Sequence, residues 1–170
     1  MNQAKSLTIS DLEIARWFNT DQTFSIPANK ITAVHAFQML CPGCVLHGVP
    51  QANKIYQMFN HENLNVIGLH TVFEHHEAMT EVSLKAFLHE FRVPFPVGVD
   101  LSQEGDRIPV TMKKFALKGT PSWLLFNRKG ELSISLFGHI EDLMISALIT
   151  QLIQADEINA NTIKIISNTP

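Results

Sequence analysis

Apolar positions along this chain switch repeatedly between two periods, and the switching predicts strands and helices in alternation. The run ITAVHAF at Ile31–Phe37 and the run at residues 64–69 are nearly continuous and rich in β-branched and aromatic side chains, which predicts buried strands. Ser122–Phe126 and residues 131–137 flank the turn Asn127-Arg128-Lys129-Gly130 and predict a β-hairpin. Helical spacing appears at Val45, Val49, Ile55 and Phe59 across residues 42–59, where Gly48 and Pro50 should bend the helix near its second turn. A second helical stripe, Val82, Leu84, Phe87, Leu88 and Phe91, covers residues 77–91 until the VPFP of residues 93–96 stops it and an extended segment follows. Residues 11–18 and 107–117 predict short helices, residues 23–26 a short strand, and residues 140–153 a closing amphipathic helix.

Alternation of this kind predicts an α/β fold. Without an internal repeat, a low-complexity block or a Gly/Ser linker, the pattern predicts one domain over residues 1–155, followed by a tail, 156–170, with an apolar patch at 163–166. With 45% apolar residues the chain can bury a core without staples. The net charge is −3 and the 13 Lys and Arg are scattered, so no nucleic-acid partner is expected. No apolar run approaches the roughly 20 residues that span a bilayer, so no membrane partner is expected either. The start, MNQAKSLTIS, lacks the apolar stretch of a secretory signal, and a cytoplasmic location is the expectation.

The chain has two cysteines, Cys41 and Cys44, in the motif CPGC directly after the Ile31–Phe37 strand. Cysteines this close cannot staple distant parts of a fold, so redox or metal chemistry is the natural reading. Pro42 suits the first position of a helix, which makes Cys41 the N-cap. A sulfur there faces the free N–H groups of Gly43 and Cys44 and the positive end of the helix dipole, and both favour a thiolate. Cys44, one turn in, is placed to resolve a mixed disulfide, so Cys41 is the expected nucleophile and Cys44 the resolving thiol. The metal alternative makes the pair half of a zinc site completed by His70 with His75 or His76. Against it, a helix and a buried strand separate the cysteines from these histidines.

A second marker is Thr120-Pro121, preceded by Gly119 and followed by SWLLF. Strand, CxxC, helix, strand, helix, then Thr-Pro, hairpin and helix is the order of the thioredoxin fold. On FQMLCPGC at residues 37–44, VIGLHTVFE at 66–74 and GTPSWLLFNRKGEL at 119–132, the chain resembles the thioredoxin superfamily, particularly its TlpA-like and redoxin branch. The resemblance spans roughly residues 17–153. It implies a central mixed β-sheet flanked by helices on both faces, with a cis Pro121 in a loop facing the CxxC helix N-terminus. It further implies that the backbone of Thr120 pairs with an extended substrate segment.

What the resemblance implies about activity is disulfide reduction or exchange through the Cys41–Cys44 pair. The partners are then a protein or small-molecule disulfide or thiol and a thiol reductant. The dithiol carries the electrons itself, so no cofactor and no metal is called for. Leu40 stands where relatives often carry an aromatic residue, and Pro50 sits one residue later than their helix proline. His35 stands where relatives often carry a buried acid or Asn, and His47 where TlpA-like proteins often have Glu. Both histidines are therefore candidates for managing protons at the cysteine pair. His61, His89 and His139 are expected as ordinary surface residues, and His75 and His76 as part of a solvated turn. Two other readings remain: a peroxiredoxin-like peroxide reductase, disfavoured because Val34 and Gln38 replace the Pro and Thr or Ser of that motif, and a redox-responsive binding module without turnover.

Overall fold

The computed structural model describes residues 6–21 and 23–167. Strands β1 (Ile14–Phe18), β2 (Ile31–Phe37), β3 (Leu64–His70), β4 (Val97–Asp100), β5 (Ser122–Phe126) and β6 (Leu132–Phe137) form one sheet in the order β1-β4-β3-β2-β5-β6. β2, β3 and β4 are parallel, β1 lies antiparallel on β4, and β5 and β6 extend the other side antiparallel. Every residue of β2 is buried, as a central strand requires when both faces of its sheet are covered.

The period of two divides the core cleanly. Ile31, Ala33, Phe37, Val66, Trp123 and Leu125 face one way and meet helices α1 (Val49–Met58), α2 (Glu81–Glu90) and α4 (Asp142–Ser167). Val34, Ala36, Ile67, Leu69, Leu124 and Phe126 face the other way, against Phe115 at the end of α3 (Val110–Lys114) and apolar side chains of the N-terminal segment. Because β2, β3 and β4 run parallel, the segments that leave them collect at one edge of the sheet, where α/β folds build their sites.

The mixed sheet with helices on both faces is the architecture the family resemblance implies, and the elements read from the sequence pattern meet it with four local departures. Residues 11–18 are not a helix: a 3-10 turn at Ile9–Asp11 leads into strand β1. The open edge of β4 recruits that segment, because Gly98 leaves room for Ile14 and Trp17 to close over it, and ladder pairing overrides helical preference. Residues 23–26 form no strand; Phe24 instead packs edge-on against Trp17, their ring centroids 4.9 Å apart. The closing helix does not stop at residue 153 but continues to Ser167 as α4, through most of the segment expected to be a tail. The side chains of its apolar patch at 163–166, and residues 1–5 at the polar start, lie outside the described residues. No helix among the described residues is long and apolar enough to cross a membrane.

The helix expected over residues 107–117 shrinks to α3, which opens after Pro109, and a buried carboxylate fixes where it begins. Asp100, 2% exposed at the end of β4, accepts the N–H of Thr111 at 2.8 Å, the N–H of Met112 at 3.0 Å and the Thr71 hydroxyl at 2.8 Å. Burial raises its pKa, while these hydrogen bonds pull the other way. Asp100→Ala leaves three donors without an acceptor and should lower stability by about 3 kcal/mol, measured by chemical denaturation.

Candidate active site

The chain leaves β2 at Phe37, and a turn in which the Cys41 N–H donates to the Gln38 carbonyl at 3.3 Å swings it into a helix. That helix starts at Pro42 and continues to Met58. The Val45 N–H reaches the Cys41 carbonyl at 3.0 Å, so Cys41 occupies the N-cap. Its sulfur takes the part a Ser or Asp oxygen usually plays: the Cys44 N–H donates to the Cys41 Sγ at 3.2 Å. From the other side, the Cys41 Sγ lies 3.4 Å from the Thr120 carbonyl, in the loop whose Thr120-Pro121 bond is cis.

Both cysteines are free, and they are unequal. Cys41 is half-buried, whereas Cys44 is fully enclosed. Burial pushes the Cys44 thiol up to about 12, and its hydrogen bond with Cys41 adds to the rise. Hydrogen bonds from the Gln38 backbone and the Thr120 side chain pull less strongly in the opposite direction. One sulfur is thus reachable and capped by a backbone N–H, and the other is kept as a thiol behind it.

The bend expected near Gly48 and Pro50 takes the form of a π-helical turn over Cys44–Gly48, closed by the Val49 N–H on the Cys44 carbonyl. Pro50 has no N–H to give and its ring crowds the carbonyl four residues back, so widening the turn just before it keeps the helix continuous. Beneath this turn lies His35. A Cβ on Gly48 would stand 2.4 Å from its Nε2 and 3.3 Å from the Pro121 Cβ, so only glycine fits there.

His35 is fully buried, its two ring nitrogens have no hydrogen-bond partner among the described residues, and its ring lies 4.9 Å from that of Trp123. Burial lowers its pKa to about 3. A ring that refuses protons so strongly is a poor acceptor for a thiol held near 12, so these surroundings favour packing over the proton transfer for which the sequence made His35 one candidate. His47 does not turn toward the sulfurs. The wide π turn carries its exposed ring against His139, 4.6 Å away.

The zinc alternative is not assembled. His70 ends β3, buried against Phe37 with ring centroids 5.3 Å apart, while His75 and His76 are exposed. Among the described residues, no group of three His, Cys, Asp or Glu side chains is placed to hold a metal ion. The structure therefore brings Cys41, Cys44, Thr120 and Pro121 together, sets His35 beneath them, and leaves His47 outside.

Sequence reasoning overlooked Gln38, which is 1% exposed. Its Oε1 accepts the Phe73 N–H at 3.1 Å, and its Nε2 faces Glu74 Oε1 at 3.4 Å and Thr120 Oγ1 at 3.5 Å. A lone amide in the apolar stretch Phe37-Gln38-Met39-Leu40 was the available signal, since a buried polar side chain needs partners.

No protein-family model matches the chain, and no curated protein matches it. Solved structures do. The chain is 44% identical to a thiol-disulfide isomerase from Corynebacterium glutamicum, with 88% of this chain and 97% of that one covered and a TM-score of 0.83. It is 45% identical to a thioredoxin-like superfamily protein, over 87% of this chain and 97% of that one, with a TM-score of 0.81. StoA from Bacillus subtilis shares the fold at 19% identity, over 70% of this chain and 81% of its own, with a TM-score of 0.57.

The two buried histidines predict how stability depends on pH. Burial lowers His35 to about 3 and His70 to about 4 from an ordinary 6.5. Below pH 6.5 the unfolded chain therefore binds protons that the folded chain refuses, so their contribution is complete above that pH and is lost as pH falls toward 3 or 4. Denaturation from pH 7 to pH 4 should show a loss on the order of 3 kcal/mol per histidine, and His35→Leu should flatten the curve by about half.

Proposed function

The chain belongs to the thioredoxin-like superfamily, and we propose that it is a thiol-disulfide oxidoreductase with Cys41 as nucleophile and Cys44 as resolving thiol. The observation that carries this reading is the asymmetry of the pair: a half-buried Cys41 Sγ capped by the Cys44 N–H at 3.2 Å, ahead of a fully buried Cys44. In the first step the Cys41 thiolate attacks one sulfur of a substrate disulfide. A Cys41–substrate bond forms, and the other substrate sulfur leaves as a thiolate. In the second step Cys44 attacks the Cys41 sulfur. The Cys41–Cys44 bond forms, the second substrate sulfur departs, and the Cys44 proton ends on a released substrate thiolate. Two electrons have passed from the dithiol to the substrate, and a thiol reductant restores the pair.

The surroundings of Cys41 suit a protein substrate. Leu40, next to Cys41 in the chain, is 57% exposed and offers apolar contact area at the site. In this reading an extended substrate segment lies along the Thr120 backbone, where main-chain hydrogen bonds hold its disulfide over Cys41 whatever its sequence. The cis Pro121 ring, against Gly43 and Gly48, backs that strand and sets its distance from the helix.

Reduction of insulin with a dithiol donor tests the proposal. The parent protein should turn over many times, and Cys41→Ser should abolish turnover. Cys44→Ser should react once and stall as a mixed disulfide visible by mass spectrometry. Full activity in Cys41→Ser, or a single stoichiometric reaction in the parent, would contradict the assignment.

A further inference from the structure

A carboxylate is held beside the dithiol, and a buried amide holds it there. Gln38, 1% exposed, accepts the Phe73 N–H on its Oε1 at 3.1 Å. A backbone N–H can only donate, so the other end of the amide carries the N–H groups, and that end faces Glu74 Oε1 at 3.4 Å. The same Nε2 lies 3.5 Å from Thr120 Oγ1, and the Thr120 carbonyl lies 3.4 Å from the Cys41 Sγ. Glu74 therefore borders the loop that faces the capped sulfur. Its side chain is exposed, and among the described residues it makes no ion pair and its Oε2 takes no hydrogen bond. Lys118, the Lys or Arg nearest to Thr120 along the chain, is exposed and not paired with it.

We propose that Glu74 selects substrates by charge: its free oxygen receives a Lys or Arg side chain next to the disulfide of a polypeptide substrate and repels an acidic one. The inference rests on the reading of Cys41 as the nucleophile and adds to it the class of segment that docks. A segment laid along the Thr120 backbone runs beside this carboxylate, with Leu40 giving apolar contact at the site. An ion pair between two exposed side chains gains little, because both must be frozen and water screens them. Here one partner is already anchored on a buried amide, so less freedom is lost when a substrate cation arrives. Glu74 makes and breaks no bond in the exchange; it sets which disulfides reach Cys41.

The test compares three otherwise uncharged peptides that differ only in the residue next to the cysteine, Lys, Gln or Glu, with that cysteine in a disulfide with 2-mercaptoethanol. Acid quenching and mass spectrometry give the rate at which the reduced protein consumes each. An exposed ion pair is worth about threefold and the matching repulsion about the same, so the Lys peptide should outpace the Gln peptide by about threefold and the Glu peptide by about tenfold. Glu74→Gln keeps an oxygen for the Gln38 amide and removes the charge, and should bring the three rates within about twofold of one another. Any effect of the substitution on the cysteine pair is shared by all three peptides and cancels in their ratio. Glu74→Lys should reverse the order, Lys118→Gln should preserve it, and 1 M salt, where the Debye length is about 3 Å, should flatten it in the parent. Equal rates in the parent at low salt, a faster Glu peptide, or an order that survives in Glu74→Gln would overturn the proposal. A parent protein that reacts with none of the three would overturn the reading beneath it, and the proposal with it.

Discussion

A helix that begins where a parallel strand ends leaves its first N–H groups without carbonyl partners, and here a sulfur takes one of them. Much of the site follows from that contact. The strand must be central and buried so that its end is fixed, which the seven buried residues of β2 secure. The residue after the cap must accept a helical φ without needing its N–H, which Pro42 does. The second cysteine must fall one turn later and inside, which places Cys44 in the core and separates the two sulfurs in exposure and in proton affinity. The sheet order then brings β5, and with it the Thr120-Pro121 loop, alongside β2, so that the Thr120 carbonyl faces the capped sulfur from the opposite side.

The π turn shows how tightly the helix is constrained on its inner face. His35 fills the space under the turn, Gly48 is bare to admit it, and Pro50 follows too soon for a regular α-helix to pass unchanged. A neutral imidazole in the core costs stability in acid, yet its flat ring stacks on Phe37, lies tilted against Trp123 and underpins the turn that carries Cys44. On the outer face the same widening turns His47 toward His139 and away from the chemistry.

Much of this was legible in the sequence because it depends on local pattern. Buried runs marked β2 and β5, the Pro after Cys41 marked the helix start, and Gly-Thr-Pro before SWLLF marked the loop opposite. What escaped depends on partners distant in the chain. β1 reads as a helix until the exposed edge of β4 claims it, and α3 begins where Asp100, ten residues upstream of Val110, accepts its N–H groups. Helical spacing placed His47 near the sulfurs, and although Gly48 and Pro50 signalled a bend, they did not reveal a π turn that carries His47 against His139. Gln38 was visible as an odd polar residue, but its three contacts lie on segments 35 or more positions away.

The most direct measurement is competitive alkylation of the reduced protein at pH 7 with less than one equivalent of iodoacetamide, followed by peptide mass spectrometry. A capped, accessible Cys41 ahead of a buried Cys44 predicts that nearly all the label sits on Cys41. Label found first on Cys44, or shared equally between the two, would contradict the asymmetry on which the mechanism depends.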